Sequence, residues 1–159
     1  MPLTFRPFTL EDFTAFQESS TKDYAQELLR AGKAAQEAEA LQAALAEFCG
    51  ILPQGMATPN HFLNHLVNAQ GQTVGFLWYG IRGEEIFICD FLIHEAQRRK
   101  GYGTQALEAL EVLARGQGVQ RIRLHVFSHN TAARKLYRAQ GYREISRRKG
   151  GRFLQKILK

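Results

Sequence analysis

The chain has 159 residues, 45% of them apolar and 23% charged, which suits one soluble domain spanning residues 1–159. No apolar run approaches the roughly 18 residues of a membrane span, and "MPLTFRPFTL" lacks the basic-then-apolar order of a secretory signal, so a reducing cytoplasm is the expected setting. A net charge of +6 favours an anionic partner, and Cys49 and Cys89 are too few for a disulfide scaffold and lack zinc spacing.

"PLTFRPFTL" reads as a short first strand. From Glu11 the pattern is helical to about Leu52, broken near Gly32, with Leu41, Leu45, Phe48 and Leu52 spaced as one helix face. "LPQGMATPN" stops the helix with two prolines and a glycine. Three strands follow, "HFLNHLVNA", "TVGFLWYGI" and "EIFICDFLI", joined by short glycine-containing links that predict antiparallel hairpins. The third is apolar on both alternations, as a central strand covered on both faces would be. Ala106, Leu107, Leu110 and Leu113 mark an amphipathic helix ending at "RGQG". In "RIRLHVF", Ile122, Leu124 and Val126 point one way. "NTAARKLYRAQG" is a helix with Asn130 as its cap and Gly141 past its end. "YREISRRK" and "RFLQKIL" close the chain as a hairpin. The predicted order is β-αα-βββ-α-β-α-ββ, a mixed α/β sandwich around one sheet.

Between the third of these strands and the following helix lies "RRKGYGTQAL". A helix start offers about four free backbone N–H groups and a partial positive charge, and glycines there let an anion reach the main chain. Gly101 and Gly103 form such a turn, Thr104 adds a hydroxyl, and Arg98, Arg99 and Lys100 raise the local potential. A pyrophosphate or similar anion fits these groups. A plain connecting turn is one alternative. Gly101, Gly103 and Ala106 also satisfy a dinucleotide fingerprint, but the turn comes late, after a meander, and no ribose-binding acid follows in "RIRLHVF". An arginine there would suit a 2′-phosphate, so charge alone leaves NADP open while the topology opposes it.

Two segments carry a resemblance. "RRKGYG" resembles the Q/R-x-x-G-x-G/A acyl-CoA signature of the GNAT N-acetyltransferases, with Arg98, Gly101 and Gly103 on its fixed positions. "NTAARKLYRAQGY" is similar to the family's N-x-x-A-x-x-L-Y-x-x-x-G-F/Y signature through Asn130, Ala133, Leu136, Tyr137, Gly141 and Tyr142. The element order agrees nearly end to end, and "LPQGMATPNHFL…GQTVGFLWYG" resembles a narrower, mostly bacterial group of GNATs without a settled substrate. The resemblance implies a mainly antiparallel sheet of about seven strands with helices on both faces and strands four and five splayed apart. It implies acetyl-CoA as co-substrate, its pyrophosphate over Arg98, Arg99, Lys100, Gly101, Tyr102, Gly103 and Thr104, and its pantetheine in the splay. Asn130 and Ala133 join the cofactor contacts, and backbone N–H groups near Leu92 and Ile93 polarise the thioester carbonyl. No metal is implied.

Within that scheme Tyr137 is the expected general acid, a phenol of pKa near 10 able to protonate a leaving thiolate. Asp90 is the candidate base, a carboxylate inside an apolar strand that must be paired, neutral or functional; a structural bond at a strand bulge accounts for it equally well. Glu85 and Glu95 are weaker candidates, and a water chain needs none of them. His94, His125 and His129 have no recognised ligand spacing. Glu95 stands where the family usually has proline, and Leu92 where the narrower group often has an acid. The helical pair from Glu11 to Leu52 and the loop after it form the acceptor side in this family, with Glu27, Glu37, Glu39 and Glu47 as candidate lures for a cationic amine. A solvated helix face explains those acids as well. The acceptor is a small-molecule or protein amine, and a homodimer is left open. A CoA-binding module without catalysis is the competing class, while a nucleic-acid partner finds no recognition helix or stacking platform.

Overall fold

Seven strands form one sheet in the computed structural model, which describes residues 3–158. In chain order the elements are β1 (Thr4–Pro7), α1 (Leu10–Arg30), α2 (Glu37–Ile51), β2 (His61–Val67), β3 (Thr73–Arg82), β4 (Glu85–Ile93), α3 (Tyr102–Gly116), β5 (Arg121–Phe127), α4 (Thr131–Ala139), β6 (Arg143–Arg148) and β7 (Gly151–Ile157). The predicted order is the observed one; Pro2, in the predicted first strand, lies outside the described residues. The sheet runs β1-β2-β3-β4-β5-β7-β6, antiparallel throughout except for the parallel pair β4–β5.

The alternation of each strand sorts the core into two layers. Leu63 and Trp78 face Phe13 and Phe16 of α1 and Phe48 of α2. On the other face Leu66, Leu77, Ile86, Ile88, Ile122, Leu124 and Val126 meet Ala106, Leu107, Leu110 and Ala114 of α3, and Tyr137 of α4 joins this cluster. Helices therefore cover both faces, and β4, apolar on both alternations, is the middle strand.

The local signals explain the helix ends. Thr9 caps α1: its Oγ1 accepts from the Asp12 amide at 3.1 Å while its own amide donates to Asp12 Oδ2 at 2.9 Å. At the other end Gly32, at φ +72°, donates to the Leu29 carbonyl, and Lys33 N–H reaches back to the Leu28 carbonyl. That pair of bonds is a Schellman stop, which needs a left-handed residue at Gly32. In α2 the predicted apolar face is only half right. Leu45 is 47% exposed, and the buried stripe is Ala40, Ala44 and Phe48. Ala40 and Ala44 pack on Ala25 and Leu28 of α1, where small side chains let the two helices approach closely. A search for large apolar residues overlooks such a face.

The fourth and fifth strands part company at a bulge. Trp78 pairs with Asp90 and Tyr79 with Ile88, so Cys89 is the extra residue on β4. Pairing of β4 with β5 runs from Glu85–Arg121 to Ile88–Leu124 and stops at that bulge, although both strands continue. The splay implied by the resemblance is present, and the bulge bends β4 away from its neighbour.

Tyr142 is buried edge-on against Tyr137, ring centroids 5.6 Å apart, and its hydroxyl has no hydrogen-bond partner among the described residues. Burying an unpaired hydroxyl is costly, so Tyr142→Phe is expected to stabilise the fold by about 1 kcal/mol and raise the melting temperature by a few degrees. A lower melting point would mean that the hydroxyl is bonded in solution.

Candidate active site

Beyond the bulge, Cys89 to Ile93 of β4 and His125 to Phe127 of β5 border a cleft with no ladder between them. Gly75 of β3 sets the height of its β4 wall. A Cβ on Gly75 would collide with the Leu92 carbonyl oxygen and press on the Ile93 Cα. Gly75→Ala therefore has to move the Leu92–Ile93 main chain. The expected cost is about 1–3 kcal/mol of stability, read by denaturant melts, with a loss of activity larger than that destabilisation explains.

After β4, the His94 amide donates to the Val74 carbonyl at 2.8 Å, and Arg98 Nε donates to the Ile93 carbonyl at 2.9 Å. Arg98 thus braces the end of β4 through Nε, with the rest of its guanidinium exposed. Lys100 Nζ donates to Gln97 Oε1 at 3.4 Å, and Arg99 and Lys100 are exposed. The chain turns through two left-handed residues, Arg99 at φ +64° and Gly101 at φ +82°, before α3 begins at Tyr102. Gly101 has open space around it and is required for its dihedral. Gly103 keeps a tight spot clear: a Cβ there would press on Leu136 Cδ2 at 3.0 Å and touch Ile93 Cγ1 at 4.0 Å. The two sequence signatures meet at this contact. Thr104 lies in the first turn of α3, and the Tyr102 hydroxyl accepts from Asn68 Nδ2 at 3.1 Å. Asn68, Ala69, Gln70, Lys100, Tyr102 and Gln105 line a polar recess of about 280 Å³ beside the turn.

On the far side, Asn130 Oδ1 accepts from the Ala133 amide at 3.2 Å, the cap expected of it. Two turns on, Tyr137 is 7% exposed, and burial followed by the charge of Asp90 pushes its phenol well above the ordinary range. It therefore stays protonated at any physiological pH. Asp90, partly buried at the bulge, accepts from Ser20 Oγ of α1 at 3.2 Å. Its pKa is pushed up to about 6, chiefly by burial and further by Asp23, against the bonds from Ser20 and the Phe91 amide. A carboxyl of that pKa is a usable base near neutrality.

Other sequence candidates lie elsewhere. Glu85 sits at the opposite end of β4, tied to Arg121 at 3.0 Å and Arg123 at 3.1 Å. Glu95 and His94 are exposed on the loop after β4. His129 bonds Glu27, and His125 packs edge-on against Phe127 and Phe153. Glu47 pairs with Tyr24, whose phenol it raises together with burial, and Glu37 and Glu39 occupy the first turn of α2. Sequence reasoning missed Ser20, Gly75 and Tyr24. The first and last lie in a helix whose spacing names no chemistry, and Gly75 looks like any strand glycine.

The GNAT acetyltransferase family model matches residues 16–142. The uncharacterised N-acetyltransferase YycN of Bacillus subtilis is 39% identical over 148 residues, covering 91% of this chain and 94% of that protein. Its crystal structure superposes with a TM-score of 0.87 at 38% identity, over 92% of this chain and 95% of that one. A second uncharacterised N-acetyltransferase of that bacterium, YdgE, is 34% identical over 89% of this chain and 92% of its own length. The PaiA N-acetyltransferase of Thermoplasma acidophilum, solved in complex with coenzyme A, shares the fold at a TM-score of 0.70 and 15% identity, over 99% of both chains. With both signatures meeting at Gly103 beside a splayed pair of strands, this chain belongs to the GNAT family of acetyltransferases.

Proposed function

We propose that the protein is one acetyltransferase domain that moves an acetyl group from acetyl-CoA directly to a primary amine. The observation that carries this reading is the meeting of Ile93, Gly103 and Leu136 beside the β4–β5 cleft, with Tyr137 and Asp90 electrostatically coupled there. The fit to acetyl-CoA rests on this chain's own groups. Gly101 and Gly103 leave the start of α3 clear of side chains, and the amides of that first turn, with Thr104, Arg99 and Lys100, suit a pyrophosphate. The unpaired ends of β4 and β5 suit a pantetheine arm held by strand-like hydrogen bonds, with Asn130 and Ala133 at the start of α4 as further contacts.

In this reaction Asp90 takes the proton of the incoming ammonium, directly or through water. The amine nitrogen bonds to the thioester carbonyl carbon while amides at Leu92 and Ile93 hold the developing oxyanion. The carbon–sulfur bond breaks, Tyr137 gives its proton to the departing thiolate, and the second proton of the acetylated nitrogen restores the phenol. Burial raises Tyr137 above its ordinary value and raises a thiolate formed beside it in the same way, so the phenol keeps its proton until that thiolate appears. No helix among the described residues is long and apolar enough to cross a membrane, and we place the reaction in the cytoplasm.

Thermal melts with acetyl-CoA, CoA and NADPH at matched concentrations test the donor. A ligand at a hundredfold excess over its Kd stabilises by about 2.7 kcal/mol, so acetyl-CoA and CoA should raise the melting point and NADPH should not. A rise with NADPH alone would overturn the reading. Stabilisation by CoA without turnover on any amine would favour the non-catalytic binding module.

A further inference from the structure

Lys33 is placed by the stop of α1 and lies across an aromatic surface on the α1 side of the cleft. The Schellman bonds at Gly32 and Lys33 turn the chain back, and Lys33 Nζ comes to 5.7 Å from the centroid of the Phe127 ring. Phe127 is the last residue of β5, beyond the point where β4 leaves it. The odd residues of β5, His125 and Phe127 among them, face away from the α3 layer, which takes Ile122, Leu124 and Val126. This is the side from which α1 delivers Ser20 to Asp90. One helical turn beyond Ser20, Tyr24 meets Phe127 with ring centroids 6.0 Å apart. His129 stacks on the same ring at 5.7 Å, and His125 lies edge-on to it at 5.0 Å. An ammonium over an aromatic face is a favourable contact, and the group making it here is a primary amine on an exposed, flexible stem.

We propose that Lys33 is an intramolecular acceptor, and that the enzyme acetylates itself at this residue when acetyl-CoA is bound. The inference rests on the acetyl-CoA reading above. The Lys33 ammonium loses one proton to Asp90 or to water, and its Nζ lone pair forms a bond to the thioester carbonyl carbon. The carbon–sulfur bond breaks, the thiolate leaves as CoA-SH with a proton from Tyr137, and the second proton of the new amide nitrogen returns to the phenolate. No electron transfer or further reactant is needed. The field of Lys33 at His125, where it adds to burial in lowering the imidazole pKa, agrees with an amine held close to the end of β5. Acetylation removes the cation from Phe127 and leaves an amide in its place, so the modified enzyme presents a different surface to outside amines.

The test is intact-mass and peptide-mapping spectrometry of the purified chain after incubation with acetyl-CoA, alongside its thermal shift with CoA. The expected product gains one acetyl group, mapped to Lys33, at a first-order rate independent of protein concentration. Lys33→Arg should abolish it, Lys149→Arg should not, and Tyr137→Phe should slow it at least tenfold. Lys33 is exposed and Gly32 carries the conformational demand of the stop, so the arginine variant is expected to fold. No acetyl gain in a protein that CoA stabilises would overturn self-acetylation and leave the donor reading standing. Acetylation scattered over many lysines, or indifferent to Tyr137→Phe, would be uncatalysed chemistry and would overturn it too. If CoA fails to stabilise the protein, the donor reading falls first and the inference with it.

Discussion

Tyr137→Phe is expected to cut kcat by about 10²–10⁴-fold and leave the melting temperature close to that of the parent. Phenylalanine keeps the ring, its edge contact with Tyr142 and its place in the α3–α4 core, so little packing is lost. What goes is a proton held beside the cleft. If the phenol acts only as the thiolate departs, its contribution exists in the transition state alone, and kcat and kcat/KM should fall together. The KM for acetyl-CoA should stay near its original value. An activated thioester, whose thiol is a better leaving group, should recover much of the lost rate because it needs less help from an acid. Unchanged turnover in the phenylalanine variant would remove Tyr137 from the mechanism. A large drop in melting temperature with a proportionate drop in activity would make it a packing residue.

How much of this was legible beforehand depends on which groups carry the work. Gly101 and Gly103 could be read because each answers a local demand: one takes a left-handed dihedral, and a Cβ on the other would crowd the tip of Leu136 at 3.0 Å. Asn130 could be read because capping is local. The splay was expected only through the family resemblance, since a bulge at Cys89 leaves no mark in "IFICDFLI" beyond a charged residue next to it. Arg98 was expected among the anion-binding cations, and its Nε also donates to the Ile93 carbonyl five residues back, which orients the guanidinium. Sequence shows that a cation is present and says nothing of which backbone carbonyl lacks a partner. The Ser20–Asp90 pair joins residues seventy apart in the chain. Only packing of α1 on the sheet brings them together, so no spacing rule could have found it. The same holds for Lys33 and Phe127, whose contact depends on where a helix stops and a strand ends.

Asp90→Asn should do two opposite things, and the pair of results separates catalysis from structure. In the fold the carboxyl is pushed up to about 6, mainly by burial, from the ordinary aspartate value of 3.8. A folded-state pKa raised above the unfolded one means that the protonated acid is the form the fold prefers. Its contribution to stability is fully present below pH 4 and is lost as pH rises through 6. At pH 7 the parent therefore carries an ionised group in a setting that disfavours it, and a neutral asparagine avoids that penalty. The variant is expected to be more stable than the parent at pH 7, on the order of 1 kcal/mol once partial exposure is allowed for. At pH 4 the two should melt together. Activity should move the other way. The parent's kcat/KM should climb with pH through an inflection near 6 as Asp90 ionises, and the asparagine variant should lose that inflection along with about 10²-fold or more of its rate at pH 7. A residue retained only to brace the bulge would behave differently, since replacing it would lower stability at pH 7 and leave the pH profile of the surviving activity unchanged. Gaining stability while losing rate is the signature of a charge held at a folding cost for its chemistry.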